Sequence, residues 1–371
     1  MSDLDRRFLA AALALGRRGA GRTWPNPSVG AILVQETPAG PVVVGRGVTQ
    51  PGGRPHAEVV AIREAGEAAR GATLYVTLEP CAHHGRTGPC AEAIVAAGIG
   101  RVVSAIGDPN PLVAGKGHGI IRAAGIPVAE NVAVAEAARA HAGHFSRVRR
   151  GRPHIALKLA ISADGGIGRQ GLGQVAISGP EARAFAHGLR ASFDAILIGI
   201  GTALADDPAL TCRLPGCGAF SPVRVVLDRA ARLPVTSALV QGVKEAPLWV
   251  VTTPAADPDR VSGLVAHGVR ILIAAEGGAG GVDVASALDR LSEAGLTTVL
   301  VEGGASVAAA MVTGGYVDEA FLIHAPTVLG GDLVPPLAHL PLERLTAEPR
   351  LSLLESRALG RDRLVHLWRG I

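Results

Sequence analysis

The sequence has few aromatic residues, few cysteines and little excess charge, and each scarcity excludes a class of protein. Aromatic residues make up 3% of the 371 residues, too few for a platform that stacks single-stranded bases. The formal net charge is only +4, so the chain lacks the basic excess of a protein that binds a nucleic-acid backbone. The four cysteines, two of them in a metal-ligand pattern, do not make a disulfide framework. From the low aromatic content and the small net charge we expect no nucleic-acid partner.

Long apolar runs are also missing. The segment 195–205 is among the longest, and it is much shorter than a membrane span. The first seven residues lack the basic-then-apolar order of a signal peptide. The composition is otherwise ordinary, with 48% hydrophobic and 18% charged residues, and the length favours two domains with separate cores. These features predict a protein of the reducing cytoplasm that does not contact membranes.

Helical and strand-like segments alternate in the first half of the chain. Apolar spacing and turn residues predict helices at 4–19, 56–69, 89–97 and 134–147, and strands at 29–34, 73–78 and 102–106. In this arrangement His56 opens one helix, while Cys81 and Cys90 flank the turn into the next. The positive ends of helix dipoles favour thiolates at such positions.

The basic, Gly- and Pro-containing stretch 149–153 marks a domain boundary, so we expect domains at 1–148 and 152–371. Beyond it, the sequence predicts strands at 155–159, 195–200, 223–227, 248–251, 269–273, 298–301 and 320–323, helices at 181–189, 258–267 and 284–294, and a closing antiparallel pair at 351–354 and 364–368. Continuous apolar strands alternating with helices indicate an α/β domain whose largely parallel sheet is covered on both faces.

One motif in the first half carries chemistry. His56-Ala57-Glu58, Cys81 after Pro80, and Cys90 supply one imidazole, two thiolates and a free carboxylate. Three ligands with a fourth position left for water, and a proton carrier beside them, are what a zinc deaminase needs. The order is typical of zinc-dependent base deaminases, although eight residues rather than two separate the cysteines. His-x-Glu alone often arises by chance, but this combination predicts zinc ligands at His56, Cys81 and Cys90, with Glu58 as the catalytic proton carrier.

The second half lacks the G-x-G-x-x-G signature of a standard dinucleotide site. Its Gly199-Ile200-Gly201 is a weak signal by itself. More suggestive is the segment 298–306, where a strand runs into glycines and then a helix, so that backbone N–H groups could cradle a pyrophosphate. Close packing of the strand on the helix would need the same glycines, and the residues alone leave both interpretations open.

Taken together, the motifs of both halves resemble the bifunctional riboflavin-biosynthesis deaminase/reductase family, which also has the eight-residue insert between the cysteines. The first half contributes Pro25–Gly30, His56–Glu58, Thr77–Cys81, Gly85–Cys90, Asp108–Pro111 and Gly115–Gly117; the second contributes Lys158, Ser162–Gly165, Gly199–Thr202, Asp206–Pro208, Leu210–Arg213 and Glu302–Gly304. The resemblance implies a cytidine-deaminase-like α/β/α domain followed by a dihydrofolate-reductase-like α/β domain.

The resemblance implies a two-step activity with Zn²⁺ and NADPH as cofactors. The first step would remove the 2-amino group of a diaminopyrimidinone that bears a ribosylamino 5-phosphate. The second would reduce the ribosyl group to ribityl, and the family suggests a homo-oligomer. One alternative is a nucleoside or tRNA-base deaminase with an unrelated α/β domain, against which the insert and the low aromatic content speak. Another is a non-enzymatic deaminase-like scaffold, which should have lost Glu58 or a zinc ligand.

Site residues follow by position from the same resemblance. In the first half, substrate contacts would come from Asn26, His83, Arg86 and Asn110, although turn formation beside prolines also explains the two asparagines. In the second half, NADPH would be bound by Ala160, Gln174, Ala176, Thr202, Asp206, Gly304, Ala305, Ser306, Val307, Ala308, Ala309 and Ala310. The reductase substrate would be bound by Ser178, Arg190, Leu210, Arg213 and Glu302.

Some of these positions carry more specific expectations. Arg190 and Arg213 could hold the 5-phosphate through bidentate contacts. Lys158 and Asp164 would be polarising or structural groups. The family often has an aromatic residue where Ala176 stands, and a serine where Gln174 stands. These two departures affect the expected affinity for NADPH rather than the reaction, because the hydride belongs to the cofactor.

Overall fold

The computed structural model describes residues 2–84, 88–278, 280–346 and 351–370. The chain divides into two compact units, a first unit that ends at Gly151 and a second unit over Arg152–Gly370. Within the described residues, no helix has both the length and the apolar character needed to cross a membrane.

The first unit is a five-stranded sheet with helices packed on it. Its helices are α1 (Asp3–Arg17), α2 (Ala57–Ala65), α3 (Cys90–Ala96), α4 (Lys116–Ala123), α5 (Val134–Ala140) and α6 (Ala142–Arg150), and its strands are β1 (Gly30–Thr37), β2 (Gly40–Val48), β3 (Thr73–Val76), β4 (Arg101–Ser104) and β5 (Val128–Ala129). The strand order is β2-β1-β3-β4-β5. Strand β1 runs antiparallel to β2 and β3, whereas β3, β4 and β5 are parallel.

The observed elements of this unit differ from the predicted ones, and two of the differences have a clear physical reason. Strand β2 was not predicted, because its glycines and Pro41 are typical of a turn and its edge position leaves residues 41–44 without a clear apolar alternation. The helix predicted over 134–147 is two helices that meet at His141. There the buried imidazole lies 3.0 Å from the hydroxyl oxygen of Thr77, and the backbone departs from helical geometry.

Glycines on β2 allow α2 to lie directly on the sheet. A Cβ atom on Gly47 would come within 1.9 Å of the Ala57 carbonyl oxygen, and one on Gly45 within 2.3 Å of the Ala61 carbonyl oxygen. Residues two apart in a strand share a face, so both glycines pack against the same helix. This close approach fixes the height of the first turn of α2, which carries part of the motif identified above.

The second unit is a nine-stranded sheet with alternating helices. Its strands are β6 (His154–Ile161), β7 (Ala195–Gly199), β8 (Val223–Leu227), β9 (Leu248–Thr252), β10 (Arg270–Ile273), β11 (Thr298–Val301), β12 (Glu319–His324), β13 (Ser352–Leu359) and β14 (Asp362–Trp368). Its helices are α7 (Pro180–Ser192), α8 (Ile200–Asp206), α9 (Ala238–Gln241), α10 (Pro258–Ala266), α11 (Val284–Glu293), α12 (Ala305–Thr313) and α13 (Glu343–Thr346).

The strand order is β10-β9-β8-β7-β11-β6-β12-β14-β13. The first seven of these strands are mutually parallel, and β14 runs antiparallel to both of its neighbours. Each predicted strand of this half is present, including the closing antiparallel pair. All residues of β7, β8 and β9 are buried, as expected for strands covered on both faces.

Candidate active sites

The three predicted metal ligands converge in the first unit. The Nδ1 atom of His56 lies 3.2 Å from Sγ of Cys90 and 3.6 Å from Sγ of Cys81. All three ligand atoms lie within 4.8 Å of one another, and the described part of the chain contains no other such group of three His, Cys, Asp or Glu side chains. One nitrogen and two sulfurs gathered in this way fit a catalytic zinc site, which takes three protein ligands.

Helix starts and one strand end place these ligands. His56 is the N-cap of α2, Cys90 is the first residue of α3, and Cys81 lies in the loop that follows β3. The backbone N–H of Cys90 donates a hydrogen bond to Sγ of Cys81, at 3.3 Å. A hydrogen bond from the Cys90 thiol is the main cause that lowers the pKa of Cys81 to about 4, and the same bond, together with burial, raises the pKa of Cys90. Cys81 is thus a thiolate near neutral pH, and a coordinating metal would also deprotonate Cys90.

Glu58 lies in the first turn of α2, two residues after His56, and only 4% of it is exposed. Burial raises the pKa of its carboxyl to about 6. A carboxyl that titrates close to neutrality can both accept and return a proton at physiological pH. A buried carboxyl that could carry a proton therefore follows His56 in the chain and is not one of the three clustered side chains.

The four residues predicted to bind the deaminase substrate have different surroundings. The side-chain amide of Asn26 donates to the Gly53 carbonyl at 2.8 Å, and its nitrogen lies 3.4 Å from Nε2 of His56, so Asn26 is brought to the metal ligands. His83 is exposed. Asn110 uses its side-chain oxygen in a turn, where it accepts from the N–H of Leu112 at 3.0 Å. Arg86 lies outside the described residues, and the substrate roles of all four stay predictions.

In the second unit, an open cleft of about 890 Å³ lies at the carboxyl ends of β6, β7 and β11. Ala160, Ile198 and Glu302 line it from these three strand ends. The carboxyl ends of parallel strands are the usual place for ligands in open α/β sheets, and the volume is that of a cofactor or substrate site.

Most of the residues predicted for this half line the cleft together. They are Ala160, Gln174, Ala176, Ser178, Arg190, Thr202, Asp206, Leu210, Arg213, Glu302, Gly304, Ala305 and Ser306. The remaining positions, Val307 to Ala310, belong to the body of α12 and are not among the lining residues, and Ala308 and Ala309 are buried. Only the start of α12 reaches the cleft, since a helix that packs on the sheet buries one side of its later turns.

The glycines before α12 meet both requirements that the sequence left open. Gly304, the N-cap of α12, has φ +79°, and a Cβ atom there would lie 2.9 Å from Oγ1 of Thr202. The positive φ and the close approach to α8 together favour glycine here. The same residue lines the cleft, so the start of α12 is also open to a ligand.

A buried ion pair lies at the floor of the cleft. Arg190 donates from Nε and Nη2 to the two carboxylate oxygens of Glu302, at 2.9 and 2.8 Å, and Nζ of Lys158 lies 3.9 Å from the same carboxylate. Burial pushes the pKa of Glu302 upward, but Lys158 and Arg190 outweigh it and hold that pKa below its ordinary value. A bidentate phosphate contact by Arg190 would have to replace this pair, and it stays a prediction.

Three basic side chains that line the cleft, Arg169, Arg183 and His187, were missed in the sequence. Arg183 and His187 line the cleft with Arg190, and the three lie four and three residues apart on α7. Nδ1 of His187 accepts from the backbone N–H of Arg213 at 3.3 Å. The helical spacing of these basic residues was a usable signal, because positions separated by three or four residues share one face of a helix.

Known proteins carry the same two regions in the same order. Residues 2–106 match the model of the cytidine and deoxycytidylate deaminase zinc-binding region, and residues 153–365 match that of the RibD C-terminal domain. The chain is 39% identical to the riboflavin biosynthesis protein RibD of Escherichia coli strain K12, over 98% of this chain and 99% of that protein. It is 40% identical to RibD of Bacillus amyloliquefaciens, over 90% and 88%.

Solved structures agree over the full length. RibD of Acinetobacter baumannii superposes with a TM-score of 0.84 at 35% identity and covers 99% of both chains. A diaminohydroxyphosphoribosylaminopyrimidine deaminase/5-amino-6-(5-phosphoribosylamino)uracil reductase from Thermotoga maritima superposes with a TM-score of 0.82 at 32% identity and covers 98% of both chains.

The zinc-ligand cluster and the cleft of the second unit thus define a deaminase joined to a reductase. The chain belongs to the RibD family of riboflavin-biosynthesis proteins. It is a bifunctional deaminase and reductase of riboflavin biosynthesis that uses zinc and NADPH. The expectations for the fold class, the two activities and the two cofactors are confirmed. The RibD C-terminal domain contradicts the alternative of a nucleoside or tRNA-base deaminase with an unrelated α/β domain, and the two activities contradict a non-enzymatic scaffold.

Proposed function

We propose that residues 1–148 deaminate a diaminopyrimidinone bearing a ribosylamino 5-phosphate, and that residues 152–371 then reduce its ribosyl group to ribityl with NADPH. The observation that carries this proposal is the pairing, in one chain, of a three-ligand cluster beside buried Glu58 with a separate cleft built around Glu302. The name of the Thermotoga maritima relative, which states both activities, supports the choice of substrate.

In the deaminase half, His56, Cys81 and Cys90 would hold zinc. Zinc, when bound there, would act as a Lewis acid that lowers the pKa of water and makes it nucleophilic at neutral pH. Glu58 accepts a proton from the attacking water on its carboxylate and passes it to the ring nitrogen. It then carries a second proton, from the hydroxyl formed at the reacting carbon, to the amine, which departs as ammonia. Asn26 reads the pyrimidine edge from its position against His56. We assign the remaining substrate contacts to His83, Arg86 and Asn110.

In the reductase half, NADPH supplies the hydride and the protein orients it against the sugar. We assign cofactor binding to Ala160, Gln174, Ala176, Thr202, Asp206 and the segment from Gly304 to Ala310, of which the first residues of α12 face the cleft. We assign substrate binding to Ser178, Arg190, Leu210, Arg213 and Glu302. Lys158, 3.9 Å from the Glu302 carboxylate, has the role of polarising the sugar.

The test is a coupled assay on zinc-loaded protein that follows ammonia release and NADPH oxidation separately. With the diaminopyrimidinone substrate, ammonia should appear first and NADPH should be oxidised afterwards, and Glu58→Ala should abolish both signals. With the deaminated compound, Glu58→Ala should oxidise NADPH at the wild-type rate. NADPH oxidation by Glu58→Ala on the diaminopyrimidinone would contradict the order of the two steps.

We further propose a cytoplasmic homo-oligomer that assembles through the second unit and has no nucleic-acid or membrane partner. In support, β13 is one of the two edge strands of the nine-stranded sheet, and seven of its eight residues are exposed, with Leu353 at 63%. An exposed strand edge is a template for pairing with another chain. Light scattering on the wild type should show an oligomer, and Leu353→Glu should shift it toward the monomer. A wild-type monomer would overturn this proposal.

A further inference from the structure

Glu79 is a buried carboxylate of the first unit that has no part in the chemistry described above. It lies two residues before Cys81, and its side chain is 1% exposed. Its Oε2 atom accepts from the backbone N–H groups of Asp108 and Gly115, at 3.2 and 3.1 Å. Its Oε1 atom accepts from those of Gly117 and His118, at 3.1 and 3.4 Å.

All four donors belong to the segment 108–118, which contains Asn110 and the start of α4. A second contact joins the same two parts of the chain, because a Cβ atom on Gly117 would lie 1.8 Å from the Pro80 carbonyl oxygen. The loop that delivers Cys81 and the segment that carries Asn110 therefore touch at backbone level. A buried carboxylate with four N–H donors stabilises this contact strongly, since hydrogen bonds to a charged group are worth more than neutral ones.

The arrangement argues against proton transfer by Glu79. Both of its oxygens are occupied by backbone donors, and it is not among the side chains that gather at the metal cluster. The side chain of His118 is also near, with its Nδ1 atom 3.8 Å from Oε1 of Glu79. What Glu79 controls is the position of one segment relative to another.

We propose that Glu79 is a positioning residue for deamination, which holds the segment 108–118 in register with the loop of Cys81. The substrate then meets the metal site and the Asn110 segment in one geometry. This inference rests on the proposed function, in which Asn110 contacts the substrate. Because Glu79 acts on substrate placement, its loss should weaken binding of the deaminase substrate more than it slows turnover.

The first test is Glu79→Gln, which keeps the shape of the side chain. Its NH₂ group replaces one carboxylate oxygen and cannot accept from the two backbone N–H groups that this oxygen bound. Because one or two charge-assisted hydrogen bonds are lost, we expect the KM of deamination to rise at least about 10-fold. The kcat should change by no more than about 3-fold. Zinc content should stay at the wild-type value, and NADPH oxidation on the deaminated compound should be unchanged. The matched control is Glu64→Gln, an exposed glutamate of α2 paired with Arg46. An unchanged KM, or a loss of zinc, would overturn the proposal.

A second pair of variants tests the same contact without touching Glu79. Gly117→Ala forces the segment away from Pro80, whereas Gly119→Ala adds the same methyl group on α4 where no atom lies within 4 Å. Gly117→Ala should raise the KM of deamination and Gly119→Ala should not. This comparison decides the question if Glu79→Gln does not fold, and equal KM values for the two alanine variants would overturn the proposal.

Asn110→Ala separates this inference from the proposed function. If Asn110→Ala leaves KM unchanged while Glu79→Gln raises it, the positioning role stands and the substrate contact of Asn110 fails. If Asn110→Ala raises KM and Glu79→Gln does not, the contact stands and the positioning role is wrong.

Discussion

The two units present their functional groups in opposite ways. In the first, three ligand atoms lie within 4.8 Å of one another, beside a glutamate that is 4% exposed. In the second, the predicted site residues are spread around an open cleft of about 890 Å³, and they come from strand ends, loops, helices α7 and α8 and the start of α12. Hydrolytic deamination needs a few atoms held rigidly, whereas binding a large cofactor needs many weaker contacts. Single substitutions should therefore affect the first unit sharply and most positions of the second unit mildly.

Glu58→Gln should have the largest effect, because an amide cannot accept and return the proton. We expect ammonia release to fall at least about 10³-fold, the scale of general acid–base catalysis. Zinc content, measured by atomic emission, should be unchanged, and so should NADPH oxidation on the deaminated compound. The exposed Glu64→Gln variant of the same helix is the control. Ammonia release near the wild-type rate would contradict the role of Glu58.

Glu302→Gln tests the exception in the second unit, its buried ion pair. The amide would leave Arg190 and Lys158 without their shared countercharge, and breaking a buried pair typically costs about 3–5 kcal/mol. We expect NADPH oxidation to fall about 100-fold and the thermal transition of this unit to drop, with ammonia release unchanged. Glu293→Gln, which disrupts an exposed pair with Arg290, should change neither measurement. Equal effects of the two variants would show that the buried pair is dispensable.

Asp5→Asn should destabilise the first unit in a pH-dependent way. Hydrogen bonds from the Arg101 guanidinium hold the pKa of Asp5 well below its ordinary value, and Tyr75 donates to the same carboxylate. A lowered carboxyl pKa stabilises the fold above the unfolded pKa of about 3.9, and this contribution is lost as the pH falls toward the folded pKa. Urea unfolding should show a loss of about 2 kcal/mol at pH 7.

That loss should shrink as the pH falls below about 4, because protonation removes the charge from the wild-type side chain as well. The transition of the second unit should not move at either pH. A difference in stability that stays constant between pH 7 and pH 3 would show that the charge of Asp5 is not what stabilises the fold.

Ala176→Trp should have the smallest effect and should strengthen a site rather than break one. Ala176 is exposed and lines the cleft where the family often has an aromatic residue. An indole that stacks on the cofactor should lower the Kd for NADPH about 3- to 10-fold, as measured by calorimetry. Leu172→Trp is the matched control, since Leu172 is exposed on the same loop but is not among the lining residues. Equal affinities would place the stacking surface elsewhere.

The same contrast explains how much could be predicted from the sequence. His56, Glu58, Cys81 and Cys90 could be singled out because their residue types and order form a motif, and the structure brings the three candidate ligands together. The parallel strands of the second unit were found because burial on both faces makes each a continuous apolar run. Strand β2 was missed, because its glycines serve helix packing and are otherwise typical of turns.

Backbone contacts account for what the sequence could not predict in the sites. Glu79 binds four main-chain N–H groups, and such donors leave no trace in the identity of the residues that carry them. The ion pair of Glu302 joins residues that are 112 positions apart, so no local pattern announces it. The predicted cofactor segment 304–310 also runs along a helix, and only its first residues, 304–306, line the cleft.

The stripe formed by Gly45 and Gly47 has a consequence for variation in this enzyme. Each is pressed against a carbonyl oxygen of α2, so even the smallest added side chain would lift the helix that carries Glu58 and is capped by His56. Saturation mutagenesis should therefore find two glycine-only columns in an edge strand whose neighbours tolerate replacement. Variants meant to reshape the surroundings of the metal ligands therefore have to change the loops, since substitutions in β2 cannot move this helix without a clash.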